Sequence, residues 1–378
     1  MSFGVFAAGG SARVGWRAGE DVLDLAAAGL GEVFAAPSLD PFLALGRAAW
    51  EDAVERVVRA VEAGAEPRLP LAEVELRLPF TVADYVDFYS SLEHAANLGR
   101  MLRPDAEPLL PNWRWLPVAY HGRAGTVVVS GTDVVRPCGQ FRPPGCEAPL
   151  FGPSRRLDVE LELGFVVGRG SPLGEPVPVS AFREHVFGVL LVNDWSARDL
   201  QAWEYQPLGP FLGKSFQTSV SAWVTPLALL DGRWTEAPPQ EPEPLPYLQG
   251  ARSFALDADL ELELNGFVVS QVNARGLYWT MPEQLVHATV NGARLRTGDL
   301  MATGTISGSR RGSEGSLIEL TRNGAEPLLL PDGSRRTFLE DGDEVVLRGR
   351  AGDVQLGEVR GRVLPARCGR GAQDDEAT

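Results

Sequence analysis

Apolar residues at Phe42, Leu43, Leu45, Val54, Val57 and Val58 recur at helical spacing and predict one helix over residues 41–63. Around it, residues 1–66 read as short strands, and residues 67–79 as a connector. The pattern changes at Phe80. From there, turn residues separate short alternating or wholly apolar runs at 126–130, 161–167, 186–192, 260–264 and 344–347, which predict a β-rich second unit. Residues 238–246 contain five prolines in nine positions and read as a surface loop. The stretch 366–378 is rich in Gly and Asp and reads as a disordered tail. No internal repeat is visible. The pattern therefore predicts an N-terminal domain over 1–79 and a larger domain over 80–365.

Composition narrows the class. A chain of 378 residues with 44% hydrophobic and 22% charged positions is an ordinary globular protein, long enough for two domains. The net charge of -15 argues against nucleic acid or an anionic membrane as a partner. No run reaches the roughly 18 to 20 apolar residues of a membrane span, and no basic stretch leads into an apolar one at the N-terminus. The three cysteines, Cys138, Cys146 and Cys368, form no even framework and no Cys-x-x-Cys pair. The expectation is no disulfide, no thiolate metal site and a reducing cytoplasm.

Several clusters carry possible chemistry. Ser90 and Glu93 have the spacing of a capping box, which puts His94 in the first turn of a helix, where it serves either packing or proton transfer. Asp158, Glu160 and Glu162 alternate along a predicted strand, with Glu160 and Glu162 about 7 Å apart on one face. Such a pair either grips a hard cation or faces solvent. Asp259, Glu261 and Glu263 repeat the alternation before a hairpin turn at Asn265-Gly266 and read as a solvated face. After the apolar run at 186–192, a helix is expected until Pro207; Asp194, Arg198, Gln201 and Tyr205 share one face of it, which is either the wet side or a cavity wall. Glu319 is expected in a strand beside apolar neighbours.

Lys214 is the one lysine among 35 basic residues, and a compact ammonium suits a tight pocket better than a guanidinium. Its Gly213-Lys214-Ser215 setting resembles the end of a phosphate-binding loop. The spacing excludes that reading: only Pro210, Phe211 and Leu212 separate Gly209 from Gly213, and proline lacks an N–H.

Asp87-Phe-Tyr-Ser-Ser, Tyr120-His-Gly-Arg, Leu157-Asp-Val-Glu-Leu-Glu, Asn193-Asp-Trp-Ser-Ala-Arg-Asp, Trp203-Glu-Tyr, Pro207-Leu-Gly-Pro-Phe-Leu-Gly-Lys-Ser-Phe and Ala302-Thr-Gly-Thr-Ile-Ser-Gly run in order along the chain. Together they resemble the fumarylacetoacetate hydrolase family across most of residues 80–365. The resemblance implies a homodimer in which each subunit joins a small SH3-like N-terminal β domain to a large mixed β-roll. It implies hydrolysis of a carbon–carbon bond in 4-fumarylacetoacetate, giving fumarate and acetoacetate, the last step of tyrosine and phenylalanine breakdown. By position, Asp87, Glu160, Glu162 and Asp194 resemble calcium ligands, and Asp194 with the Lys214 and Thr218 positions a magnesium site. An ammonium cannot ligate a cation, so Lys214 would contribute its backbone carbonyl. His94 resembles the general base and Glu319 its orienting partner, while Arg198, Gln201 and Lys214 resemble anion-stabilising groups. Tyr89, Arg103, Tyr120, Gln201, Tyr205 and Thr305 resemble substrate-holding residues.

Overall fold

The computed structural model describes residues 1–369. Strands β1 (Phe3–Ala8), β2 (Ser11–Ala18) and β3 (Asp21–Asp24) pair antiparallel at the N-terminus. The helix expected over 41–63 is two pieces, α1 (Asp40–Leu43) and α2 (Arg47–Glu62). Gly46 between them has φ 86°, which a continuing helix does not allow. α2 buries Trp50, Ala53, Val54 and Val57, and the Trp50 ring meets Phe187 edge-on at 5.5 Å. One core thus joins the N-terminal aromatics Phe3, Trp16, Phe34 and Phe42 to Phe187, Leu190 and Leu300 of the larger unit.

Within the larger unit lie β4 (Asp84–Phe88), α3 (Leu92–Leu102), β5 (Ala119–His121), β6 (Leu161–Val167) and β7 (Val186–Asp194). There follow α4 (Arg198–Glu204), α5 (Leu212–Ser215), β8 (Thr218–Val220) and β9 (Trp223–Pro226). Next come β10 (Asp259–Leu264), β11 (Phe267–Asn273), β12 (Asp299–Ala302), α6 (Leu317–Leu320), β13 (Glu344–Ala351) and β14 (Val354–Leu364). The main sheet runs β3-β2-β1-β9-β7-β6-β12-β4-β5, so the pairing of β1 with β9 carries the N-terminal strands into it. A second sheet, β11-β10-β13-β14, packs Leu260, Leu262, Leu347, Leu356 and Val359 against Leu163, Phe165, Val189 and Leu191 of the first.

The architecture is mixed and sheet-rich, as expected. β6 and β7 are buried along their whole length because both faces of the sheet are covered there. Each Val, Leu or Phe buried in β7 contributes about 1.5–3 kcal/mol, which fixes where its polar end, Asp194, must stand. β10 behaves differently. Its Leu260, Leu262 and Leu264 point inward, while Asp259, Glu261 and Glu263 point out to Arg350, Gln271 and Arg348, the solvated face that alternation predicts.

The cysteine expectation is overturned: Cys138 and Cys368 form a disulfide with Cα atoms 5.6 Å apart. Separation in sequence hides the reason. β14 runs parallel to Val134–Val135 with Val363 opposite Val134, so the two segments continue side by side and deliver both thiols to one place. Cys146 is free and exposed. Of the expected disordered tail, residues 366–369 are therefore tethered through Cys368, and 370–378 lie outside the described residues. Among the described residues, no helix is long and apolar enough to cross a membrane.

Candidate active site

Four strand-end carboxylates converge. Asp87 of β4 lies opposite Ala302 of β12, Glu162 of β6 opposite Val192, and Asp194 ends β7. Glu160 sits just before β6, bridged to Ser316. The carboxylate oxygens of Asp87, Glu160, Glu162 and Asp194 come within 4.8 Å of one another, and all four residues are buried. Asp158 does not join them. The alternation expected at 158–162 breaks between Leu157–Asp158 and β6, and Asp158 turns instead to Arg198.

Cations neutralise part of this charge. The Lys214 ammonium lies 2.5 Å from both Glu160 Oε2 and Asp194 Oδ2, and Arg198 Nη1 lies 2.8 Å from Glu160 Oε1. Burial pushes Glu160 up, but Lys214 and Arg198 outweigh it and hold the carboxyl below the usual range. Burial would lower Lys214, but Asp194 and Glu160 raise it, so the amine is charged. Asp87 and Glu162 lack such partners. Burial, and then the charges of Asp194 on Asp87 and of Asp87 on Glu162, push both well above the ordinary carboxylate range. Tyr120 faces Asp87 across the β4–β5 pairing, its hydroxyl 3.0 Å from Asp87 Oδ2 and 2.9 Å from Asp194 Oδ2. One hydroxyl proton cannot serve both oxygens, and a proton held by Asp87 completes the set. Thr218, opposite Asp194 in β8, donates to Asp194 Oδ1 at 3.1 Å.

Both oxygens of Glu162 and Oδ1 of Asp87 are buried with no hydrogen-bond partner among the described residues. Orphaned carboxylate oxygens in a dry site are costly, and a divalent cation satisfies them. The donor set is all hard oxygen, which suits calcium or magnesium better than zinc. A testable consequence follows from the sign of the shifts. Asp87 and Glu162 keep protons in the folded, metal-free protein at pH values where free carboxyls have lost them. That stability is present below the ordinary carboxylate pKa and is lost as pH rises through the raised values. Cation binding needs the ionised forms, so calorimetric titration with calcium near pH 6, in buffers of different protonation enthalpy, should register release of up to about two protons per ion. A release of zero would mean these acids are already ionised.

Beside the cluster, His94 Nδ1 lies 2.6 Å from Glu319 Oε2, both residues buried. Burial pushes Glu319 up, but His94 and hydrogen bonds from Asn97 and Ser316 hold it below its ordinary value. An ionised carboxylate only accepts, so Nδ1 carries a proton and Nε2 is the ring nitrogen left free to exchange one. Asn97 Nδ2 donates to Oε1 at 2.9 Å, and Ser307 and Ser316 hydroxyls donate to Oε2 at 2.9 and 2.7 Å. Tyr89 meets the His94 ring edge-on at 5.3 Å.

Three local expectations change. The cap of α3 is Ser91, which accepts from His94 N at 3.4 Å, while Ser90 is taken by Gln284. Glu319 stands in the short helix α6, not a strand, because Asp158 accepts from the amides of Leu317 and Ile318 and starts a helical turn there. Asp194 lies on a strand, not on the helix of Arg198 and Gln201, because β7 runs two residues past its apolar stretch and α4 begins only at Arg198.

Gln201 Oε1 accepts from Arg198 Nη1 at 3.2 Å. Arg103 donates to Pro108 O at 3.0 Å and keeps a buried Nε without a partner among the described residues, and the buried Thr305 Oγ1 likewise has none among them. Tyr205, half-buried after α4, accepts from Gln206 and stands outside the contact network of the cluster. Sequence reasoning missed Asn97, Ser307 and Ser316. Two carried a signal: Asn97 stands three positions after His94 on the same helix face, and Ser307 lies inside the motif 302–308.

A buried imidazole with a free nitrogen, set beside fixed positive charge, is the equipment of a hydrolase that draws a proton from water. Comparison narrows that class. The family described as Fumarylacetoacetate (FAA) hydrolase C-terminal matches residues 84–364. A fumarylacetoacetase of Arabidopsis thaliana is 46% identical over 381 residues, covering 92% of this chain and 90% of its own. That of Homo sapiens is 44% identical over 399 residues, covering 97% and 95%. The chain belongs to the fumarylacetoacetate hydrolase family. Among solved structures, a fumarylacetoacetate hydrolase from Exiguobacterium antarcticum superposes with TM-score 0.58 at 19% identity, covering 97% of this chain and 100% of that one. A maleylpyruvate hydrolase from Sphingobium sp. SYK-6 gives 0.55 at 17%, with the same coverage. Likenesses this distant bear on fold alone.

Proposed function

We infer that this chain hydrolyses the carbon–carbon bond of 4-fumarylacetoacetate to fumarate and acetoacetate. The observation that carries the mechanism is the buried His94–Glu319 pair beside the acid cluster. His94 Nε2 takes a proton from water while Glu319 holds the ring and balances the imidazolium. The hydroxide adds to the ketone carbon of the fumaroyl group, forming a C–O bond and an oxyanion. Collapse of that oxyanion breaks the C–C bond, and the electron pair leaves on acetoacetate as an enolate. The imidazolium proton then returns to that carbon. Arg198, Gln201 and Lys214 stabilise the negative charge at both stages. Asp87, Glu160, Glu162 and Asp194 would hold calcium, which supplies Lewis-acid polarisation of carbonyl oxygens. Magnesium would sit beside Asp194, at Thr218 and the Lys214 carbonyl. Arg103 grips a substrate carboxylate with its fork, and Tyr89, Tyr120, Gln201, Tyr205 and Thr305 complete the pocket.

All these residues lie after residue 79, so the catalytic unit in this reading is 80–365 and the SH3-like unit 1–79. A homodimer belongs to the same reading. The exposed run Leu208, Phe211 and Leu212 supports it, because a second copy would cover that apolar surface. A cytoplasmic location goes with a soluble diketo-acid substrate, and the cysteines no longer support it. The test is incubation with fumarylacetoacetate, with calcium and with a chelator, following loss of diketone absorbance and formation of fumarate. Metal-dependent release of both products is expected. Turnover of short acylpyruvates alone would reassign the substrate.

A further inference from the structure

We propose that Asp158 is a positioning residue for the hydrolytic step, its carboxylate tying the Arg198 guanidinium to the backbone segment that carries Glu319. Asp158 is fully buried, and both its oxygens are committed. Oδ1 accepts from the amides of Val159 at 2.8 Å and Leu317 at 2.7 Å. Oδ2 accepts from the Ile318 amide at 3.1 Å and from Arg198 Nε at 2.8 Å.

The two ends of this tie are the two halves of the reaction. At the α6 end, Ser316 would ordinarily cap the turn, but its hydroxyl is spent on Glu319 at 2.7 Å and makes no cap bond. Asp158 supplies the acceptor that Ser316 does not, and so fixes the turn that aims Glu319 at His94. At the other end, Asp158 holds Nε of Arg198 while Glu160 and Gln201 take Nη1 at 2.8 and 3.2 Å. Nη2 is left buried with no partner among the described residues. A guanidinium pinned on those two nitrogens has one donor edge left to offer an anion. Asp158 thus sets the base pair and the anion-stabilising donor relative to each other, a distance on which rate depends steeply.

Asp158→Asn tests this without changing size. Every group around the carboxylate is a donor, so the amide NH2 meets a donor in either orientation. The expected result, per folded protein, is a fall in kcat of roughly 10- to 100-fold with KM within about twofold. In an Arg198→Lys background, where Nε no longer exists, the same change should cost at least about threefold less than in the wild type, the remainder coming from the α6 turn. Asp158→Glu keeps charge and acceptors with one extra methylene; it serves if the amide variant does not fold, and should lose at least about tenfold in kcat. Wild-type kcat in whichever variant folds, or an equal cost in both backgrounds, would overturn the proposal. It rests on the roles given to His94, Glu319 and Arg198, and His94→Ala in the same assay separates the two failures. An inactive His94→Ala with an unimpaired Asp158→Asn sinks the tie alone, whereas an active His94→Ala sinks the roles beneath it.

Discussion

His94→Ala should lower kcat on fumarylacetoacetate by about 10³-fold, with KM little changed, because the base acts in the transition state and not in binding. The geometry makes the experiment clean. His94 Nδ1 is occupied by Glu319 at 2.6 Å, so only Nε2 can meet water. Removing the ring leaves Glu319 with its Asn97, Ser307 and Ser316 donors, so the carboxylate stays satisfied and the fold persists. The measurement is steady-state turnover beside circular dichroism and calcium binding. A loss of less than tenfold in a folded, calcium-binding variant would mean that another group takes the proton. Glu319→Gln should show a smaller loss, since an amide still touches the ring but no longer balances the imidazolium.

The sequence pattern announced the strands that frame the centre because they are buried on both faces and read as apolar runs; 161–167 and 186–192 coincide with most of β6 and β7. Alternation also marked Glu160 and Glu162, and the resemblance to the family added Asp87 and Asp194; the fold brings all four within 4.8 Å. Local pattern failed wherever a long-range partner decided the geometry. Asp158 and Glu160 share an alternation but not a role: both meet Arg198, yet Asp158 is committed to the amides of Leu317 and Ile318 while Glu160 reaches Lys214 in the cluster. Glu319 looks like a strand residue, yet an acceptor about 160 positions upstream makes its segment helical. Cys138 and Cys368 carry no spacing signal, since only the parallel register of β14 brings them together. Helical periodicity over 41–63 was real on both sides of Gly46, but a single positive φ outweighed it.

Lys214→Arg should fold and lose about 10²- to 10³-fold in kcat, the scale of losing one anion-stabilising donor. The charge survives this change, so the effect isolates shape. The Lys214 ammonium fits between Glu160 Oε2 and Asp194 Oδ2 at 2.5 Å from each, with 6% of the residue exposed. A guanidinium is longer and planar, so it needs either a backbone retreat or space inside the acid cluster. Retreat is blocked on two sides. Glu204 Oε1 accepts from the amides of Phe211 and Gly213 at 2.9 and 2.7 Å, which fastens the head of α5. Gly213 packs so closely that a Cβ there would lie 2.7 Å from Gln201 N. The fork must then enter the cluster, where it displaces Arg198 from Glu160 or fills the space between the unpartnered oxygens of Glu162 and Asp87. Calcium binding should weaken together with kcat in that variant. Glu261→Gln, in the solvated strand with the same alternation, should leave both unchanged because Glu261 meets only Gln271 on the surface. Normal turnover and calcium affinity in Lys214→Arg would mean that any fixed positive charge suffices, and the survival of one lysine among so many arginines would then need a cause outside this site.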